Sequence, residues 1–280
     1  MHPLFRADCS DAVDASGRRS SPPRGPRSTP ARSSPPRGLR SIAAHPKSRR
    51  DQHARLRDLL EDALPAAAPA TIQRLADGAA VGRLAPREPV CRQGEAVRLT
   101  LVLAGYVGHW HTTPDGRQMV LAIVRPGGLT GHTAIARQSA IADTLAITPA
   151  EVAVWSGEDV RRLVAADPGL ALDVVDVMAR YILQFSNRLD RFVHQDARRR
   201  VLRVLAAYAD LFLGEPPVLS RTLLPAMVGT SREMTGRVLR ALEAEGVIAR
   251  VGRRGLRLLR PSVLEDVAER ANDEPADRVS

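Results

Sequence analysis

A single change of texture near Trp155 constrains the fold of this 280-residue chain more than any other feature. Between Arg87 and Trp155 the sequence is a series of short apolar or alternating runs punctuated by glycine, at residues 90–93, 99–103, 106–111, 119–124, 141–147 and 151–155. Runs of that length read as strands, and strands this closely spaced close into a small antiparallel β-barrel or roll. Pro114-Asp115-Gly116 between two of them supplies a hairpin turn, because glycine reaches positive φ without steric cost. Upstream, from about Asp51, LRDLLEDAL and TIQRLADGAAVGRL read as short helical patterns ending at glycines and prolines.

After Trp155 the period becomes helical and stays so. GEDVRRLVAAD is a short helix ending before Pro168, and a long helix runs from Leu170 to about His194. Along it Ala171, Val174, Met178, Tyr181, Phe185, Arg188 and Phe192 recur at spacings of three and four, and Leu170, Val177, Ile182 and Leu189 form a second stripe. A helix with two apolar faces needs two partners: its own β-roll and a second copy of itself, in a two-fold dimer.

No stretch is long and apolar enough to span a bilayer, and two cysteines, Cys9 and Cys91, cannot build a disulfide framework, a four-cysteine zinc site or an iron-sulfur cluster. Cys91 reads as a small buried hydrophobe, no cofactor is expected, and a reducing cytoplasm fits. The net charge of +10 falls in two places. Residues 1–50 carry 11 Lys+Arg against 3 acids within a Pro/Ser/Arg-rich segment that buries too little apolar surface to order itself. A dispensable tail or an upstream start codon accounts for that segment more simply than a polyanion-binding arm. Residues 194–260 carry 13 Lys+Arg against 6 acids, and here the pattern is specific.

Residues 220–228 suit a short helix, Gly229-Thr230 a tight turn, and 231–245 a second helix capped by Ser231 and closed by Gly246. Pro225 predicts that the first helix is shortened or kinked: it sits in the first turn if Thr222 caps, and breaks the ladder if Ser220 does. On the second helix Met234, Val238, Ala241 and Leu242 read as the buried stripe, with Arg232, Glu233, Gly236, Arg237 and Arg240 on the opposite face. Arginine grips guanine O6 and N7, glutamate accepts from cytosine N4, and glycine lets the backbone approach a groove. Residues 247–251 and 256–259 flank Gly252-Arg253-Arg254-Gly255, a basic wing placed to touch phosphate. Helix, turn, helix and wing in a basic region point to double-stranded DNA.

GTSREMTGRVLRALEAEGVI, residues 229–248, resembles the winged helix-turn-helix signature of the Crp/Fnr family. RQGEAVRLTLVLAGYVGHWHTTPDGRQMVLAIVRPGGLTG resembles that family's β-roll, with turn glycines at Gly94, Gly105, Gly116, Gly128 and Gly131. The likeness spans about residues 70–260. It implies an α+β chain: an N-terminal antiparallel, cyclic-nucleotide-binding-like β-roll at 51–166, a dimerisation helix at 167–194 and a C-terminal winged helix-turn-helix at 195–262, flanked by a disordered tail at 1–50 and an acidic tail at 263–280. It further implies a homodimeric transcription regulator rather than an enzyme. Such a regulator acts in the cytoplasm, contacts RNA polymerase and answers to an effector in the β-roll. Arg232, Glu233 and Arg237 would read palindromic TGTGA-like half-sites, with Arg240 beside them, Thr230 and Ser231 on phosphate, and Arg253 and Arg254 in the wing.

The effector pocket implied by the likeness comprises Gly131, His132, Thr133, Arg137, Tyr181 and Ser186. It departs from the cyclic-nucleotide-binding pattern. His132 stands where that pattern has a ribose-binding Glu, Ile141 or Ala142 where it has a phosphate-binding Arg, Arg137 lies too early, and Phe185-Ser186 replaces a Thr-Ser pair. A buried phosphate without its guanidinium partner binds poorly, so cyclic AMP is not the expected effector. The rival reading is a cupin-like metal or haem protein, in which His109, His111 and His132, with Asp115, would gather on the barrel.

Overall fold

The computed structural model describes residues 40–41 and 46–273 apart from 215 and 253, with side chains at 51–186 and 195–267. Helices α1 (Pro46–Ala63) and α2 (Pro69–Gly78) come first. Strands β1 (Arg40–Ser41), β2 (Ala80–Leu84), β3 (Pro89–Cys91), β4 (Arg98–Ala104), β5 (Val107–Thr112), β6 (Gln118–Val124), β7 (Leu129–Thr130), β8 (Asp143–Ala146) and β9 (Ala150–Ser156) build the roll. They form two antiparallel sheets, ordered β1-β2-β9-β4-β7 and β3-β8-β5-β6.

The period of two along the central strands explains why β4 reads as continuous apolar sequence. Leu99, Leu101 and Leu103 face α1 and α2, joining Leu56, Leu60, Leu64, Ile72 and Leu75. Val102, between them, points the other way into the roll with Val107, Val124, Val152 and Val154. Both faces are covered, so both parities are apolar. β9 repeats the arrangement, and the indole of its Trp155 donates to the Leu75 carbonyl at 2.7 Å, fixing α2 on the sheet.

Helix α3 (Gly157–Ala166) follows, capped by Ser156, and α4 (Pro168–His194) starts at once. Its first turn is tied down by two buried carboxylates. Asp173 accepts from the Ala66 N–H, and Asp167 accepts from the N–H groups of Ala68, Gly169 and Leu170. Backbone donors satisfied this way make such carboxylates tolerable inside a core.

The C-terminal part comprises α5 (Ala197–Ala207), α6 (Ala209–Phe212), a 3-10 turn (Arg221–Leu223), α7 (Leu224–Val228), α8 (Arg232–Ala244), β10 (Ile248–Val251), β11 (Gly255–Leu258) and α9 (Pro261–Asp273). One apolar core, with Leu205, Phe212, Leu224, Leu242, Ile248 and Leu264, holds them together. Val120 of β6 belongs to that core, and Arg125 pairs with Asp210 and lies over the Tyr208 ring, so the roll abuts the winged part there.

Several expectations need correction. TIQRLADGAAVGRL is not all helix: α2 stops at Gly78, and AVGRL becomes β2, paired with β9. Most of the 1–50 tail lies outside the described residues, but Arg40–Ser41 pairs with β2 and α1 begins at Pro46, ahead of the boundary at 51. The stretch from 263 is no simple tail, because α9 runs to Asp273 and buries Leu264. On α4 the two stripes do not divide as expected. Val174 of the first and Leu170 and Val177 of the second are buried, Leu170 within the core of α1, α2 and the first sheet, whereas the outward face is Leu172, Val175, Ala179 and Ile182, with Leu183 and Phe185 beside it. The side chains of Arg188, Leu189 and Phe192 lie outside the described residues.

Candidate nucleic-acid interface

Ser220 caps only the 3-10 turn, accepting from the Thr222 N–H at 3.3 Å, and α7 starts at Leu224 with Pro225 in its first turn. The first helix is therefore short, and Pro225 removes no hydrogen bond that the helix needs. Gly229 ends it at φ 69°, the left-handed conformation that lets the chain reverse within two residues. Ser231 then caps α8, its hydroxyl oxygen accepting the Met234 N–H at 3.0 Å, a contact worth ~1 kcal/mol.

The buried stripe of α8 is Thr235, Val238, Leu239 and Leu242. This corrects the sequence expectation at two positions, since Met234 and Ala241 are exposed. Thr235 is admitted to the core because its hydroxyl donates to the Ser231 carbonyl at 3.0 Å. The i, i+3, i+4, i+7 spacing of 235, 238, 239 and 242 carried that signal, masked by the polarity of threonine.

Away from this stripe Arg232, Glu233, Arg237 and Arg240 are all exposed, with Gly236 partly covered. Arg237 and Glu233 pair at 3.1 Å across one turn. An exposed pair of this kind adds little stability, so its partners are held near each other while remaining open to other groups. Thr230 and Ser231 lie at the N-terminal end of α8, where helix N–H groups favour an anion. β10 and β11 pair from Ile248↔Leu258 to Val251↔Gly255, and exposed Arg254 sits at the tip. The Arg254 carbonyl accepts from the Arg221 N–H at 2.9 Å, fastening the wing to the 3-10 turn. Arg253 lies outside the described residues.

Part of the basic charge is structural. Arg198 makes a two-pronged pair with Glu245 at 2.7 and 2.6 Å, and Arg250 pairs with Glu243 at 3.0 Å. These hold α5, α8 and β10 together, whereas Arg232, Arg237, Arg240 and Arg254 form the exposed basic surface.

In the roll, a Cβ on Gly131 would lie 2.0 Å from the Arg98 carbonyl oxygen, so only glycine fits there. It opens the 3-10 turn His132–Ala136. His132 is 5% exposed, its ring 5.5 Å from that of Tyr181 on α4. Those two residues are brought together. Thr133, Arg137 and Ser186 are exposed, and Arg137 ends the 3-10 turn at φ 56°. The expected pocket is thus only partly assembled, and of the two residues expected at the Arg position Ile141 is 75% exposed and Ala142 is buried.

The histidines do not converge as a metal site would require. His109 bonds the hydroxyls of Thr144 and Thr130 at 3.0 and 2.7 Å, while His111 bonds the Ile141 carbonyl. Asp115 turns to Thr113 and Arg117. Among the described residues no three His, Cys, Asp or Glu side chains form a group able to hold a metal. Cys91 is buried, and burial pushes its thiol up to about 11, leaving it protonated at neutral pH.

Burial pushes the imidazole of His109 down to about 4, and that of His132 to about 4, where His109 and Arg180 add repulsion. Both rings are neutral when folded, and protonate from near 6.5 when unfolded. The unfolded chain therefore binds more protons between those limits, and stability falls as pH drops from 6.5 towards 4 by up to about 1.4 kcal/mol per pH unit for each ring. Urea unfolding at pH 7 and pH 5 should show this loss, and His132→Gln should remove about half of it.

Residues 81–167 match the cyclic nucleotide-binding domain family, and residues 178–267 match the Crp-like helix-turn-helix domain family. The chain is 31% identical over 189 residues to the cyclic AMP receptor protein of Thermus thermophilus, covering 66% of this chain and 87% of that protein. It is 28% identical over 196 residues to the CRP-like protein Clp of Xanthomonas euvesicatoria, covering 64% and 84%. Among solved structures it resembles the c-di-GMP responsive regulator Clp of Xanthomonas campestris, with a TM-score of 0.59, 25% identity, and coverage of 69% of this chain and 100% of that one. A CRP-family regulator from Thermus thermophilus aligns with a TM-score of 0.56 and 27% identity over 67% and 96%. Among the described residues no helix is long and apolar enough to cross a membrane. With an antiparallel roll, a long connecting helix and a winged helix-turn-helix matched in both halves, the chain belongs to the Crp/Fnr family of DNA-binding transcription regulators.

Proposed function

We propose that the protein acts in the cytoplasm as a homodimer on an inverted-repeat operator, under the control of an effector held in the β-roll. The observation that carries this reading is the first two turns of α8, where Arg232, Glu233 and Arg237 stand exposed beside a capped helix N-terminus and opposite the buried stripe. Arg232 and Arg237 supply guanine-seeking donors, Glu233 a cytosine-seeking acceptor, Arg240 a further cation, and Thr230, Ser231, Arg253 and Arg254 phosphate contacts. The outward apolar face of α4 supports a two-fold seam, and DNA held by such a dimer is the surface on which RNA polymerase would be met. Genomic footprinting tests this: bound fragments should share an inverted repeat whose half-sites lie one helical turn apart. Recovery of a non-repeated or random motif overturns the dimeric reading.

The effector is not cyclic AMP. The pocket side of the roll presents a neutral, buried His132 in place of a carboxylate, and Arg137 faces solvent rather than the roll interior. Titration calorimetry with cyclic AMP should detect no binding tighter than about millimolar, roughly −4 kcal/mol. Micromolar binding would mean that Arg137 swings inward to supply the missing charge.

A further inference from the structure

We infer that Met234 is a base-reading residue that recognises the methyl group of a thymine in each half-site. The inference rests on α8 entering the major groove, and it adds a contact of a different chemical kind. Met234 is 36% exposed, whereas the apolar residues that serve the core on the same helix, Val238, Leu239 and Leu242, are 8%, 6% and 0% exposed. Its backbone is fixed in the first turn by the Ser231 cap at 3.0 Å, so the side chain projects from the end of the helix nearest the bases. Arg237, three residues on, pairs with Glu233, and Val238, four residues on, belongs to the buried stripe, so Met234 stands at the edge between the charged groups and the packing residues.

A large apolar side chain left more than a third exposed at this position has little to gain from solvent. In the major groove the one apolar feature that distinguishes a base pair is the thymine C5 methyl. Methionine suits it, because its unbranched thioether adapts to a small convex group without needing a preformed pocket. Glu233 and Arg237 discriminate by hydrogen bonds, and Met234 extends the readout to a neighbouring A·T pair by contact.

Deoxyuridine tests this directly, since replacing thymine by uracil removes the methyl and leaves every hydrogen-bonding group in place. Each thymine of the footprinted operator is replaced in turn, in both half-sites, and affinity is measured for the full-length wild type and for Met234→Ala. At one symmetric thymine the wild type should lose about fourfold per half-site, about fifteenfold for the pair, equivalent to ~0.8 kcal/mol per methyl returned to water. Met234→Ala should bind the thymine and uracil operators equally at that position, and Met234→Leu should restore part of the difference. A wild type indifferent to uracil everywhere, or a Met234→Ala protein that keeps the full difference, overturns the inference while leaving the arginine contacts standing. Loss of specific operator binding by the wild type would overturn both.

Discussion

Ile182→Glu is expected to convert the protein to monomers at micromolar concentration and to weaken operator binding with it. Ile182 is 66% exposed, on a face of α4 shared with Leu172 at 60% and Val175 at 59%, with Ala179 between them. That much aliphatic surface along one helix is stable in water only when another surface covers it. A two-fold axis through the seam would place both copies of the new carboxylate in the same apolar interface, each without a partner. The cost is on the order of 4 kcal/mol or more per dimer, which raises the dimer dissociation constant about a thousandfold. Phe185→Glu, at a position 67% exposed, should act in the same direction. Analytical ultracentrifugation reads the outcome, and circular dichroism checks that the monomer is folded. A variant that still sediments as a dimer would place the seam on another face.

Arg237→Ala should lose about 1 to 3 kcal/mol of operator affinity per half-site and relax the preference at one base pair in each. The guanidinium is 64% exposed and pairs with Glu233, so its removal leaves the α8 core of Thr235, Val238, Leu239 and Leu242 intact. Arg254→Ala, at the tip of the β10–β11 wing, should behave differently. A phosphate contact releases counterions without reading bases, so affinity for every sequence should fall alike and the salt dependence should flatten by about one unit of slope per half-site, about two for the dimer. Binding to a library of single-base variants at two salt concentrations separates the two behaviours. An even loss across the library for Arg237→Ala would make that arginine a phosphate anchor and move base reading elsewhere on α8.

Both expectations draw on residues whose roles the sequence only partly disclosed. The turn at Gly229, the Ser231 cap and the arginines of α8 were legible because each depends on local geometry: positive φ, a side-chain oxygen three residues from a free N–H, and a helical period. The stripe was misplaced at Met234 and Ala241 because a buried threonine looks polar until its hydroxyl is seen to reach the Ser231 carbonyl. Likewise AVGRL follows a helical pattern without a break in polarity, and only pairing with β9 makes it a strand.

The sequence by itself determined the order of elements: a roll of short strands, a long helix, and a helix-turn-helix with a wing. Period, glycine turns and caps are properties of neighbours along the chain, and neighbours are what a sequence records. Only the tertiary structure decided which face of α4 is buried, through Leu170, Val174 and Val177, and which is left exposed. It alone divided the basic charge between Arg198 and Arg250, held by Glu245 and Glu243, and the exposed arginines of α8 and the wing. It also separated His109 from His111, whose alternation on one strand looked like a ligand pair, by giving each ring its own distant partner. Those outcomes depend on contacts between residues far apart in the chain, where burial and hydrogen-bond satisfaction outweigh local pattern.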